Sequence, residues 1–473
     1  MSTLRRGLRY LCTPLLAIFA FSSLPATAEA MEEVVLRSVQ KCVRSPTRVR
    51  RTDEDALANA CLAYRQGRYA EAEVQALRHL EHDPAQSKAH FVLGLARWKA
   101  GRVEDAVRAL EMAVSLSPDD AQAHLALGNV LRDARRHDDA VAAYSRATGQ
   151  NPALAAAHFN RGVALREAGR LRDAILAFRA AARLDAADFE ATHGVVRTLG
   201  DAIRSGEEPL FDLPRTAERA EPGPLSIVVC SVDPERLARF RAALQPHVAA
   251  LEHEVIVIGD AKSLCEGYAR GVAVSRHPLV VLMHDDVQLL SPKPFHALAS
   301  ALASHDIVGL AGSRLASGPA VLWSGHPHIH GWVSYPSRIG QGYEAWPLSL
   351  EAGVLDGMET LDGLLLAMRR ETAVRVGFDC ETFDGFHFYD LDFCVRAHAA
   401  GLSLAVTTEV TALHDSAGDF GDEWRRYATR FAVKHPALAS APQGKCHAYC
   451  AQLDRLEDVT RFHRELAGLA RMT

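Results

Sequence analysis

"PLVVLMHDDVQLLSP", residues Pro278 to Pro292, decides the fold of the second half of the chain. An apolar run runs straight into His284, Asp285 and Asp286 and breaks at Ser291-Pro292. A short continuous apolar stretch bounded by turn residues reads as a strand buried on both faces. Carboxylates at its end need a reason, because a buried charge without a partner is costly. Working outward, "LSIVVC" (225–230), a helical pattern over Pro234 to Val248, "EVIVIG" (254–259) and a second helical pattern over Ser263 to Ser275 all precede it. Strands alternating with helices predict an α/β domain with a mostly parallel central sheet and helices on both faces. Ligands of such sheets bind beyond the carboxyl ends of the strands, where His284, Asp285 and Asp286 fall. Side chains alternate along an extended chain, so Asp286 is the carboxylate that shares a face with His284. Together they suit a hard divalent cation, which in turn grips a diphosphate. The plainer role for an isolated aspartate there is to cap a turn.

The first half reads differently. Pro84, Pro118 and Pro152 are 34 residues apart, as are Ala72, Ala106, Ala140 and Ala174, and Gly94, Gly128 and Gly162. That period predicts an α-solenoid of helical hairpins. Small residues let paired helices approach closely, and the proline ends the second helix of each unit. The array is expected over 53–199, with a weaker first unit carrying Ala60 at the glycine position and a last unit carrying Ala186 where proline would stand. Stacked hairpins leave a concave groove, read either as a docking surface for a protein partner or as a spacer.

A Pro/Gly-rich linker is expected over 200–224, the α/β domain over 225–440, and a C-terminal helical extension over 441–473. The overall composition, 48% hydrophobic and 23% charged with a formal net charge of −5, fits soluble globular domains and gives no general attraction to nucleic acid. At the N-terminus Arg5, Arg6 and Arg9 precede an apolar run from Leu11 to Phe21 and small-residue cleavage sites at Ala26-Thr27-Ala28 and Ala28-Glu29-Ala30. Residues 1–30 thus read as a secretory signal, whose apolar run is too short to span a bilayer comfortably, or as an upstream extension of a product starting at Met31. The nine cysteines are scattered. Cys446 and Cys450, with His447 between, lack the further ligands of a structural zinc site. His326, His328 and His330 alternate and read as a partly exposed strand, with sugar or metal contact as the second option.

Two resemblances follow from these motifs. "AHFVLGLARWKAGRVEDAVRALEMAVSLSP" resembles the tetratricopeptide repeat. "LSIVVCS", "EVIVIGD", "SLCEGYARGVAVS", "VVLMHDDV", "LDGLLLAMRRETAVRVGFD", "FHFYDLDFCVRAHAAG" and the histidine of "VTALHDSAG" resemble, in this order, the family-two nucleotide-sugar glycosyltransferases, whose catalytic domain has the Rossmann-like GT-A fold with an Asp-x-Asp metal motif. The resemblance implies a nucleoside-diphosphate sugar donor, a protein or glycan acceptor, and a divalent cation, Mn2+ or Mg2+. It implies donor contacts from Ser231, Asp260, Asp285, Asp286, Asp362 and Gly363. It implies metal ligands at Asp286 and His414, with His284 where the family has its first acid. Asp390, whose neighbour Tyr389 takes the place of the family's glutamate, is implied as the general base of an inverting displacement; helix capping is its plainer role. Asp392 reads as an acid favoured by the helix dipole. Ala269 replaces an asparagine common in the family. Because activated sugars are cytosolic in that family, the resemblance favours a cytoplasmic protein starting at Met31 over an exported one. The competing class is a repeat-based scaffold with a degenerate transferase domain. A nucleotidyltransferase or dehydrogenase would need a glycine-rich phosphate loop after "LSIVVC", and none is there.

Overall fold

A computed structural model describes residues 51–472 apart from 187, 212–220, 318–326, 338–339, 417–420 and 440–448. They fall into two compact units, divided between Val195 and Val196. The first holds α1 (Arg51–Arg65), α2 (Tyr69–His82), α3 (Ser87–Lys99), α4 (Val103–Leu116), α5 (Ala121–Asp133), α6 (His137–Gln150), α7 (Ala155–Glu167), α8 (Leu171–Leu184) and the start of α9 (Phe189–Arg204). Each odd-numbered helix of the array packs on the even one that follows it. The repeating glycine shows why: a methyl group at Gly128 would stand 2.5 Å from the Tyr144 ring, and one at Gly162 would stand 2.7 Å from that of Phe178. A bare backbone there lets the facing ring lie directly on the helix.

Histidine adds a fourth periodic feature. The Nε2 atoms of His90, His124 and His158 lie 2.8, 2.9 and 3.0 Å from the carbonyl oxygens of Pro84, Pro118 and Pro152. A carbonyl only accepts, so each imidazole N–H donates and satisfies an acceptor left over between helices.

The stretch read as a linker begins as structure. Helix α9 runs on to Arg204, and beyond it Phe211 is buried. The remaining elements are β1 (Leu225–Cys230), α10 (Pro234–Val248), β2 (His253–Ile258), α11 (Leu264–Val274), β3 (Leu279–His284), β4 (Val287–Leu289), α12 (Pro294–Ala301), β5 (Ile307–Gly309), β6 (Ala311–Ser313), β7 (Ile329–Pro336), β8 (Tyr343–Pro347), β9 (Val354–Met358), β10 (Thr360–Leu361), β11 (Leu365–Arg369), α13 (Arg370–Val376), α14 (Tyr389–Ala399), β12 (Leu404–Thr407), β13 (Ala412–His414), α15 (Asp422–Lys434), α16 (Pro436–Ala439), β14 (Ala451–Leu453) and α17 (Leu456–Arg471). The last helix ties down the post-α9 segment: Glu465 accepts from the Leu210 amide at 2.9 Å and Arg461 donates to the Glu207 carbonyl. The C-terminal extension is therefore a strand as well as a helix.

The main sheet has the order β2-β1-β3-β11-β5-β12-β9. Pairs β2/β1, β1/β3 and β5/β12 are parallel, as the alternating pattern predicts, whereas β11 runs against both β3 and β5 and β9 runs against β12. Alternate residues of each central strand feed separate cores: Val228, Val280 and Leu282 face one side with Tyr268, Phe393 and Phe431. Ile227, Val229, Val281 and Met283 face the other with Phe240, Leu244 and Phe295. Burial on both faces explains why these strands read as unbroken apolar runs. A second sheet, β10-β6-β7-β13-β4, is extended by β8 and β14. Side-chain caps open the first two helices of this domain. Asp233 accepts from the Glu235 amide at 2.8 Å ahead of α10, and Ser263 accepts from the Glu266 amide at 3.0 Å ahead of α11.

Of the alternating histidines, His328 and His330 do not share a partly exposed strand. His330 lies in β7 and is buried, because both faces of that strand are covered, and His328 precedes the strand. His326 lies outside the described residues, as do Cys446 and all of residues 1–50.

Candidate active site

Strand register assembles the site. β1, β2 and β3 are in step, Cys230 pairing with both Ile258 and His284, so His284 stands at the carboxyl edge of the sheet. Antiparallel β11 brings the turn before it alongside, and the His284 amide donates to the Leu364 carbonyl at 3.1 Å. Past the edge the chain turns at Asp285-Asp286 and re-enters as β4, whose partner β13 sets His414 opposite Val287. The Asp415 amide donates to the Asp286 carbonyl at 2.9 Å. His414 is thereby brought to two residues that lie far from it in sequence: one ligand atom each of His284, Asp286 and His414 lie within 4.8 Å of one another, the single such cluster among the described residues.

This donor set fits a metal ion. Ligands held at about 2.0–2.3 Å around one ion stand roughly 3–4.5 Å apart, which small side-chain rotations here reach. His414 Nε2 is 3.3 Å from Asp286 Oδ1 and 3.2 Å from the Ser416 hydroxyl. Burial works to raise the Asp286 carboxyl, but the His414 hydrogen bond and the charges of both histidines outweigh it and hold it well below the usual carboxylate range. His414 is raised in turn, its burial outweighed by Asp286. His284 is lowered, first by burial and then by His414.

Asp390 sits on the first turn of α14 and its Oδ2 accepts from the Gly363 amide at 2.8 Å. Burial, and then the charge of Asp362, pushes it up to about 7. It is not the helix cap. That position belongs to Phe388, whose φ of 66° places a bulky residue in the left-handed region without any side-chain cap bond. Such strain costs on the order of 1–3 kcal/mol and gathers at functional sites. Asp362 accepts from the Leu364 amide at 2.9 Å. Gly363 permits the arrangement, since a methyl group there would overlap the Tyr389 hydroxyl and stand 2.9 Å from the Asp390 Cβ. Asp392 has a structural environment. It is buried and bonds Arg396 at 2.8 Å, Lys434 at 2.7 Å and His435 at 2.9 Å, tying α14 to the end of α15.

The other expected donor residues are more scattered. Ser231 is buried, with its hydroxyl donating to the Asp233 carbonyl at 3.3 Å. Asp260 is exposed and pairs with Arg270 at 2.8 Å. Asp285 sits 3.5 Å from Arg236, on α10. Two side chains were given no role by sequence reasoning. The Tyr389 hydroxyl lies 3.0 Å from His284 Nε2 and donates to the Gly363 carbonyl at 3.2 Å; Ser416 touches His414. Tyr389 does carry a signal in the sequence, as the residue standing where the resembled family has glutamate.

Comparison with known proteins agrees with both halves of this description. Residues 226–435 match the family model described as "Glycosyltransferase like family", and residues 57–121 and 125–189 match the tetratricopeptide repeat model. No curated protein sequence matches. Solved structures with slight likeness include a crystal structure of MamA, 22% identical over 31% of this chain and 84% of that one with a TM-score of 0.29. Another is MamA 41-end from Desulfovibrio magneticus RS-1, 18% identical over 39% and 89% with a TM-score of 0.28. A third is YrrB, a TPR protein with an unusual peptide-binding site, 19% identical over 39% and 87% with a TM-score of 0.30. This chain thus joins a tetratricopeptide repeat array to a glycosyltransferase-like domain.

Proposed function

We propose that the protein transfers a sugar from a nucleoside-diphosphate sugar to a protein or glycan acceptor with inversion at the anomeric carbon. One observation carries the reading: hydrogen bonds to the two sides of the Gly363 backbone, its N–H to Asp390 and its C=O from Tyr389, which in turn meets His284, set Asp390 beside the cluster. A carboxyl poised near 7 thus stands next to the residues that contact the His-Asp-His cluster. In this mechanism Asp390 accepts the proton of the acceptor hydroxyl as its oxygen attacks the anomeric carbon, and the bond to the diphosphate oxygen breaks on the opposite side. A base with pKa near the working pH is well matched to that step. Asp286, His414 and His284 would hold a divalent cation, Mn2+ or Mg2+, which when bound supplies positive charge against the departing diphosphate. Asp362 and Gly363 shape the wall beside the base, and Ser231 and Asp260 close the first two strands where a nucleoside would lie. The repeat groove would present a protein partner or the acceptor. No helix among the described residues is long and apolar enough to cross a membrane, and use of an activated sugar points to the cytoplasm.

The test is release of nucleoside diphosphate from a panel of donor sugars with each cation, using the full chain, Asp390→Asn and Asp286→Ala. Turnover by the native chain, lost in both variants with donor binding retained in Asp390→Asn, is the expected result. Absence of both turnover and donor-induced thermal stabilisation across the panel would leave the scaffold reading in its place.

A further inference from the structure

Tyr389 and His284 both occupy positions where the resembled family carries an acid, and the structure places them in direct contact at 3.0 Å. Two such departures meeting at one bond ask for a joint explanation. The protons supply it. The Gly363 carbonyl only accepts, so in the arrangement that makes both bonds the one hydroxyl proton of Tyr389 goes to it, over 3.2 Å. The remaining Tyr389–His284 bond then needs Nε2–H as its donor. A neutral imidazole protonated at Nε2 carries its lone pair on Nδ1, and His284 Nδ1 has no hydrogen-bond partner among the described residues. The phenol thereby does for His284 what a carboxylate or carbonyl does behind many metal-ligating histidines: it fixes the tautomer and the ring plane.

The second half of the argument is donor softness. With the acid replaced, the convergent set is two imidazole nitrogens and one carboxylate oxygen. Mg2+ is a hard ion that prefers oxygen and gives up water reluctantly, whereas imidazole suits Mn2+, Co2+ and Zn2+ increasingly well. We propose that the His284–Tyr389 pair converts this centre into a two-histidine, one-carboxylate site selective for borderline transition-metal ions against Mg2+, with Tyr389 as the positioning residue that presents His284 Nδ1. This inference rests on the metal-assisted reading above and narrows its choice of cation.

Calorimetric titration of the chelator-stripped full chain with MnCl2, ZnCl2 and MgCl2 measures the selectivity without any turnover. The expected order is Zn2+ tightest, then Mn2+, with Mg2+ on the order of 100-fold weaker than Mn2+. His284→Asp should narrow the Mn2+/Mg2+ ratio by about 10-fold or more, and electron-spin-echo modulation of bound Mn2+ should fall from two imidazole nitrogens to one. Tyr389→Phe keeps the volume and the fold, so its unfolding temperature should stay close to native while Mn2+ and Zn2+ affinities drop by about 10-fold or more, the usual cost of losing an outer-shell partner. Mg2+ binding as tightly as Mn2+ would overturn the selectivity. Unchanged affinity and unchanged nitrogen coupling in Tyr389→Phe would overturn the positioning role. Either result leaves metal-assisted transfer standing, whereas a native chain that binds none of the three ions at millimolar concentration sinks both readings.

Discussion

Replacing Asp390 by asparagine should remove turnover and, in the metal-free protein, make the fold more stable at neutral pH. The carboxyl is held at about 7 instead of the ordinary 3.8, first by burial and then by the neighbouring charge of Asp362. Each tenfold change in acidity is worth about 1.4 kcal/mol, so the ionised form costs the folded state up to about 4 kcal/mol. The sign follows from proton linkage. Between pH 4 and 7 the folded chain binds more protons at this group than the unfolded chain, and stability falls as pH rises through that window. Below pH 4 the carboxyl is protonated in both states and the penalty vanishes; above 7 it is complete. Asparagine keeps an oxygen that can accept from the Gly363 amide and carries no charge. The unfolding temperature of Asp390→Asn minus that of the native chain should therefore be near zero at pH 4 and climb to a positive plateau by pH 8. At roughly 2–4 °C per kcal/mol for a domain of this size, the rise is several degrees or more. Calorimetric scans at half-unit pH steps in chelator would measure it. A difference that stays flat with pH, or becomes negative at pH 8, refutes the assignment of Asp390 as a carboxyl strained by its surroundings.

Asp392→Asn, two residues on, should do the opposite, because its carboxylate bonds Arg396, Lys434 and His435 from a buried position. The loss should be on the order of 2–3 kcal/mol, read as a lowered urea midpoint, with rate per folded molecule unchanged at low temperature. Gly363→Ala forces a methyl group onto the Tyr389 hydroxyl and the Asp390 Cβ. It should cost about 1–3 kcal/mol and at least tenfold in turnover, the rate loss persisting where thermal scans show the protein fully folded. In the repeats, Gly128→Val sets a branched side chain against the Tyr144 ring 2.5 Å from the new Cβ. Helical circular dichroism should melt earlier by the equivalent of about 1–3 kcal/mol.

What the sequence made legible follows the length scale of its signals. The 34-residue spacing of Gly94, Gly128 and Gly162 repeats a packing requirement three times over, so the array could be read directly. Strands β1 to β3 are six residues each and apolar on both faces, long enough to stand out. Strands β4, β13 and β14 are three residues each, within "VQL", "ALH" and "AQL", where no periodicity can register. The second sheet was missed for that reason, although it is β13 against β4 that carries His414 to Asp286. Individual site residues could be named because they stand at strand and helix ends. The bond that unites two of them could not, since His284 and Tyr389 lie 105 positions apart and their proximity depends on antiparallel β11 entering beside β3.

The inserted strand also explains why the acidic tip of β3 is tolerable. β11 delivers Asp362 toward the same cleft as Asp285 and Asp286, so topology by itself concentrates carboxylates there. The fold meets that concentration in three separate ways: Asp285 faces Arg236, Asp286 faces His414, and Asp390 takes up a proton near neutral pH. A structural cluster of acids would be expected to use the first device throughout, because an arginine partner is always charged. Asp286 instead faces an imidazole, and Asp390 is itself pushed up to about 7 by burial and then by the charge of Asp362. Charge at Asp390 is therefore adjustable near neutral pH. A carboxyl perturbed in this way is the kind of group that the proposed transfer reaction would use.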